Sequence, residues 1–206
     1  MQHAFVNPLM KKKTAGLTMI EVLITLSIMS VGLLGMAALQ MTGVRSVSSS
    51  SQRTAATLLA NDIIERMRAN PKAMDDNIFM GVSSASIDCT TLPTKYCAEQ
   101  YSTGSGMVAA QSCTPDELGA YDINVWYCGV NSDGTRKGGV QEYLPATDDG
   151  TPSATITCID TDPPGGDTDP CSTKSPHQVT LSWSEINPST EGDATITQSI
   201  SMTVQP

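Results

Sequence analysis

Leu17 to Leu39 is a run of 23 residues with a single charge, Glu21, and it comes directly after a basic flank of Lys11, Lys12 and Lys13. About 20 apolar residues suffice to cross a bilayer as a helix, and lysines before the run hold that end in the cytoplasm. A cleaved secretory signal would have an apolar stretch of about 7–15 residues with a small-residue cleavage site after it. This run is longer, and its acid lies near its start. In an ordinary anchor a charge within the span costs about 3 kcal/mol on insertion scales. Glu21 therefore reads as a functional group, the plain alternative being an acid held among lipid headgroups.

The chain beyond the apolar run has a different character. Residues 17–70 hold 4 Lys and Arg against 3 Asp and Glu, whereas residues 71–206 hold 5 against 18, a net charge of −13. So acidic a segment excludes a nucleic-acid grip built on phosphate neutralisation and suits a solvated surface. Cys89, Cys97, Cys113, Cys128, Cys158 and Cys171 all lie beyond the apolar run, and none forms a CxxC pair. An even number at wide spacing predicts disulfides in an oxidising compartment, so this part of the chain is expected outside the cytoplasm.

Between the two parts, Ala55, Leu59, Ile63 and Met67 repeat every four residues, with Ala56, Ala60 and Ile64 beside them. That stripe predicts an amphipathic helix packed against a core, with Asp62–Arg66 and Glu65–Arg68 pairs on its other faces and Pro71 ending it. From Leu17 to Asn70 the reading is one helix of about 80 Å at 1.5 Å per residue. Gly32 and Gly35 weaken it, as close-packing positions or as a joint.

Gly16, Leu17, Thr18, Met19, Ile20, Glu21, Val22, Leu23, set behind the lysines, resembles the processing site of type IV prepilins. The resemblance implies that a prepilin peptidase cuts after Gly16 and N-methylates Leu17, where the family usually has Phe. It also implies that Glu21, the fifth mature residue, aligns an incoming subunit with the growing filament. Two further stretches, Val31 to Gln40 and Arg53 to Asn70, resemble the anchor and stem of minor pilins of the PilV type; the glycines then gain weight as a joint. Partners implied are prepilin peptidase, other minor and major pilins and the inner-membrane assembly platform. The implied location is the inner membrane, with a single pass and a periplasmic head, and then the pilus. The function implied is a non-enzymatic minor pilin that helps start type IV pilus assembly. A minor pseudopilin of a type II secretion system is the alternative, and a membrane-anchored periplasmic enzyme a distant one.

The fold class expected is α+β, with the long helix packed on a small antiparallel sheet. Its segments are a leader at 1–16, a membrane or filament-core helix at 17–42, an amphipathic stem at 43–70 and a disulfide-rich head at 71–206. Residues 72–114 read as irregular and disulfide-held. Thr114, Pro115, Asp116, Glu117 offers a capping box with Pro at the first helical position, which predicts a helix to about Trp126; a strand over 122–130 competes with its second half. Residues 129–150 read as turns. Strands are expected at 154–159, 178–185 and 194–204.

Cys158–Cys171 is the expected local bridge, closing a loop rich in Gly and Pro. If 114–126 is helical, Cys113 and Cys128 lie about 20 Å apart, beyond the roughly 7 Å a disulfide spans. Cys89 and Cys97 then pair with those two, in an order the sequence leaves open. Asp160, Asp162, Asp167 and Asp169 invite calcium, but an EF-hand from Asp160 would need ligands where Pro164 and Cys171 stand, so a solvated acidic loop is expected. His177 has no Cys at metal-binding spacing, and the sequence holds no phosphate loop, GxSxG or zinc pattern. No catalytic residue, metal or cofactor is expected, and Trp126 and Trp183 are expected in the core.

Overall fold

The computed structural model describes residues 16–91, 93–102, 106–132, 135–160, 171–187 and 194–206. The chain divides into two compact units, Met1–Ser46 and Val47–Pro206.

Helix α1 spans Met19–Ala69. It starts two residues later than the apolar run because Thr18 takes the capping position. The Thr18 hydroxyl accepts from the Glu21 amide at 3.4 Å, and its carbonyl accepts from the Glu21 and Val22 amides at 3.1 and 3.2 Å. The helix runs unbroken through Gly32 and Gly35, so neither glycine is a joint in this structure. Asn70 and Pro71 end it: Pro71 opens α2 (Pro71–Asp75), and the Asn70 carboxamide oxygen caps α2 by accepting from the Ala73 amide at 3.3 Å.

In the second unit the elements after α2 are β1 (Val82–Ser83), a 3₁₀ turn (Ser84–Ser86), β2 (Gln100–Ser102), β3 (Gly106–Val108), α3 (Pro115–Cys128), β4 (Val130–Ser132), β5 (Thr135–Lys137), α4 (Val140–Tyr143), β6 (Ser153–Cys158), β7 (His177–Ile186) and β8 (Thr195–Val204). Four strands form one antiparallel sheet in the order β1-β6-β7-β8, and the pairs β2–β3 and β4–β5 form small hairpins. The stretch 72–114 is thus less irregular than expected. Its strands are two or three residues long and take their order from tertiary pairing, β1 lying on β6, so they leave no periodicity to read.

Along β7 every odd residue from His177 to Glu185 is buried, and along β8 the even residues turn inward while Ser199 faces out. The inner face meets the α1 stripe, so Ala56, Ala60, Ile63, Ile64 and Met67 share one core with Ile156, Val179, Leu181, Trp183 and Val204. Full burial contributes about 1.5–3 kcal/mol for each large aliphatic or aromatic side chain. Helix α3 closes the core with Ile123, Trp126 and Tyr127, and the Trp126 indole N–H donates to the Leu59 carbonyl at 2.8 Å. The Thr114–Glu117 capping box is formed in both directions, and α3 reaches Cys128, which displaces the strand alternative over 122–130.

Candidate functional site

In the first unit every described residue, Gly16–Ser46, is exposed. α1 carries an 18-residue window of mean hydropathy 2.3 with none of it buried, long and apolar enough to cross a membrane. Leu17 is 77% exposed, and Gly16, Leu17 and Thr18 lie just outside the helix. Such access suits the backbone approach that a protease needs. Glu21 stands in the first turn of α1, where the unpaired amides and the positive end of the helix dipole favour a carboxylate. Thr18, a motif residue with no role of its own expected from the sequence, sets the backbone around this acid. The signal for it is the Thr18–Glu21 spacing of a helix N-terminus. The lysine flank, at residues 11–13, lies outside the described residues.

In the second unit the stem portion of α1 is tied to the sheet by a polar clasp. Glu185 at the end of β7 accepts from Ser49 Oγ at 3.0 Å and from the Trp183 indole at 3.0 Å, with Arg53 Nε at 3.5 Å. Arg53 also donates to Gln198 on β8. Further along, Arg66 bridges to Asp122 of α3 at 2.7 Å and to Asp62 on its own helix at 3.2 Å. The Glu65–Arg68 pair is formed at 2.7 Å. Trp126 and Trp183 are both core residues.

Three disulfides close the head: Cys89–Cys128, Cys97–Cys113 and Cys158–Cys171, with Cα separations of 5.4, 5.7 and 6.1 Å. They settle the order left open in the sequence. Cys89–Cys128 fixes the end of α3 and Cys97–Cys113 its beginning. Arg136 assists by donating to the Asn124 and Gly129 carbonyls at the C-terminus of α3, where a cation also meets the negative end of the dipole.

His177 departs from its expected place. The sequence sets it apart from the cysteines, but antiparallel pairing puts it directly opposite Cys158. The ligating atoms of Cys158, Cys171 and His177 all lie within 4.8 Å of one another. Cys158 and His177 are far apart in sequence, so only the β6–β7 register reveals the cluster. Burial pushes the His177 imidazole below its ordinary pKa, with the bond to the Ser175 carbonyl pulling the other way. Asp160 accepts from the Ser172 hydroxyl at 2.7 Å, while Asp162, Pro164, Asp167 and Asp169 lie outside the described residues.

The site is thus an exposed apolar helix, long and apolar enough to cross a membrane and bearing one carboxylate, joined in sequence to a cross-linked head. A family model described as "Type IV pilin Tt1218" matches residues 38–124, and one described as "Prokaryotic N-terminal methylation motif" matches residues 11–37. No curated protein and no solved structure gives a match. The two matched stretches adjoin and take in the lysine flank, Gly16, Glu21, the whole of α1 and most of α3; with the long helix packed on a small antiparallel sheet, they make this chain a type IV pilin-like prepilin.

Proposed function

We propose that the chain is a minor pilin of the PilV type, a structural and non-enzymatic subunit that helps start type IV pilus assembly together with other minor pilins. The observation that carries this reading is the fully exposed apolar window of α1 with Glu21 in its first turn. Prepilin peptidase removes residues 1–16 by cutting after Gly16, and Leu17 becomes the methylated N-terminus. Residues 17–42 hold the subunit in the inner membrane and later lie in the filament core. Residues 43–70 form the stem, and 71–206 face the periplasm before assembly and the surroundings of the pilus afterwards. The assembly platform and the major pilin are the further partners.

Deletion of this chain tests the reading. Surface pili should fall sharply while processed major pilin accumulates in the membrane, and the chain itself should appear in sheared pili at a small fraction of the major subunit. Normal piliation accompanied by loss of secreted proteins would instead assign it to a type II secretion system.

A further inference from the structure

We propose that Cys158, Cys171 and His177 form a site for a thiophilic divalent cation, of which zinc is the natural example, and that reduction of the Cys158–Cys171 disulfide opens it. The strands place the three side chains together: Cys158 ends β6, His177 begins β7 opposite it, and Cys171 returns to the same point through its disulfide. His177 is 2% exposed, and its Nε2 is buried with no hydrogen-bond partner among the described residues. A buried ring nitrogen without a partner is uncommon, because desolvating it without compensation costs free energy.

The other ring nitrogen accounts for the direction. Nδ1 lies 3.1 Å from the Ser175 carbonyl, an acceptor only, so Nδ1 carries the proton and Nε2 presents its lone pair. Metal-bound histidines are typically held in this way, one nitrogen on the metal and the other donating to a backbone carbonyl. Burial also favours the neutral imidazole, the form that ligates.

The sulfurs in the oxidised head are committed to one another, and reduction changes that. A dithiol reductant supplies two electrons and two protons, the S–S bond breaks, two thiols form, and the reductant closes its own disulfide. The cation then displaces one proton from each thiol and takes two thiolates and the imidazole, so the charges cancel. In a tetrahedral zinc site Zn–S is about 2.3 Å and Zn–N about 2.0 Å, which sets ligand atoms within about 4 Å of each other. The 4.8 Å cluster reaches that spacing by rotation of the cysteine side chains. A fourth position stays open to water. The sheet register supplies the histidine already oriented, and the disulfide is the form in which the site is closed.

Cobalt(II) reports the outcome directly, since thiolate ligation gives a near-ultraviolet charge-transfer band and tetrahedral geometry gives visible bands. The full chain in detergent is reduced with a phosphine, which is a poor competitor for the metal, and opening of Cys158–Cys171 is verified by alkylation mapping. One equivalent of cobalt should bind with both sets of bands, and zinc should displace it. His177→Ala should weaken binding by at least about tenfold, and Cys158→Ser with Cys171→Ser should abolish the bands. Should reduction loosen the head, zinc should restore its far-ultraviolet circular dichroism in the wild type and not in the double variant. Bands that persist in the double variant would place the metal on other cysteines, and unchanged affinity in His177→Ala would remove the histidine from the site. No bands from a chain whose Cys158–Cys171 bridge is open would overturn the proposal outright.

Discussion

The Arg66 guanidinium on α1 and the Asp122 carboxylate on α3 meet at 2.7 Å, with side-chain exposures of 32% and 10%. The two partners respond differently. Burial opposes the Arg66 cation, but Asp122 and Asp62 more than compensate and hold its pKa above the ordinary value. For Asp122 burial outweighs Arg66, and its carboxyl is pushed up. The carboxylate, being the more deeply buried group, is the one that bears the desolvation.

Arg66→Ala should therefore cost about 1–3 kcal/mol at neutral pH, the range for stranding a buried polar group. Linkage sets the sign with pH. A carboxyl whose folded pKa lies above its unfolded value contributes stability that is fully present below about pH 4 and is lost as pH rises through the folded value. Without Arg66 the folded pKa climbs further, so the variant's deficit should shrink on acidification. Urea unfolding of wild type and variant at pH 7 and pH 4 checks it, and a deficit equal at both pH values would show that the ion pair is not its source.

His177 titrates with the opposite sign. Its folded pKa is depressed by burial, so its contribution is present above the unfolded value of about 6.5 and is lost as pH falls toward the folded value. The oxidised head should lose stability as pH falls below about 6.5, and His177→Leu should flatten that slope even where it lowers stability overall. Thermal unfolding at several pH values gives both curves; parallel curves would mean that the imidazole does not titrate on unfolding.

Gly129 ends α3 at φ +82°, and a Cβ there would overlap the carbonyl oxygens of Lys137 and Gly138. Gly139, at φ +79°, would carry a Cβ 2.6 Å from the Gly129 amide nitrogen. The two backbones touch, so neither can yield. Gly129→Ala should cost at least about 3 kcal/mol, combining the strained conformation with the overlap. Chemical denaturation should show it, whereas Gly150→Ala, with open space around its Cβ despite a φ of +88°, should cost less.

The parts of the fold that can be read from the sequence are those set by local pattern. The α1 stripe at 55–67, the capping box at Thr114–Glu117 and the alternation along β7 and β8 each repeat within a few residues, and their elements lie within about two residues of where the pattern puts them. β1 and the β2–β3 hairpin are not legible in this way, because two or three residues cannot show a period and pairing alone defines them. The same division applies to the sites. Gly16, Leu17 and Glu21 belong to one contiguous motif, and the α3 helix already bars Cys113 from Cys128. The partner choice of Cys89 and the meeting of His177 with Cys158 depend on the path of the chain in space, which spacing does not encode.

A carboxylate within an apolar span is costly unless paired, and Glu21 stands in the first turn of α1, where the helix dipole favours its charge. Cleavage after Gly16 would create a cation four residues away, the amino group of Leu17, on the same subunit or on a neighbour. The pilin resemblance favours the neighbour, which makes the ion pair a means of aligning an incoming subunit. Glu21→Ala should leave membrane insertion and cleavage largely intact, because removing the charge makes the span more apolar, yet lower the subunit's share of sheared pili severalfold. Processed protein is compared in the membrane and pilus fractions, with mass spectrometry confirming a chain that begins at Leu17. Normal incorporation of a fully processed Glu21→Ala subunit would leave the carboxylate with no part in assembly, and Glu21→Gln separates charge from hydrogen bonding by showing whether a neutral amide restores the share.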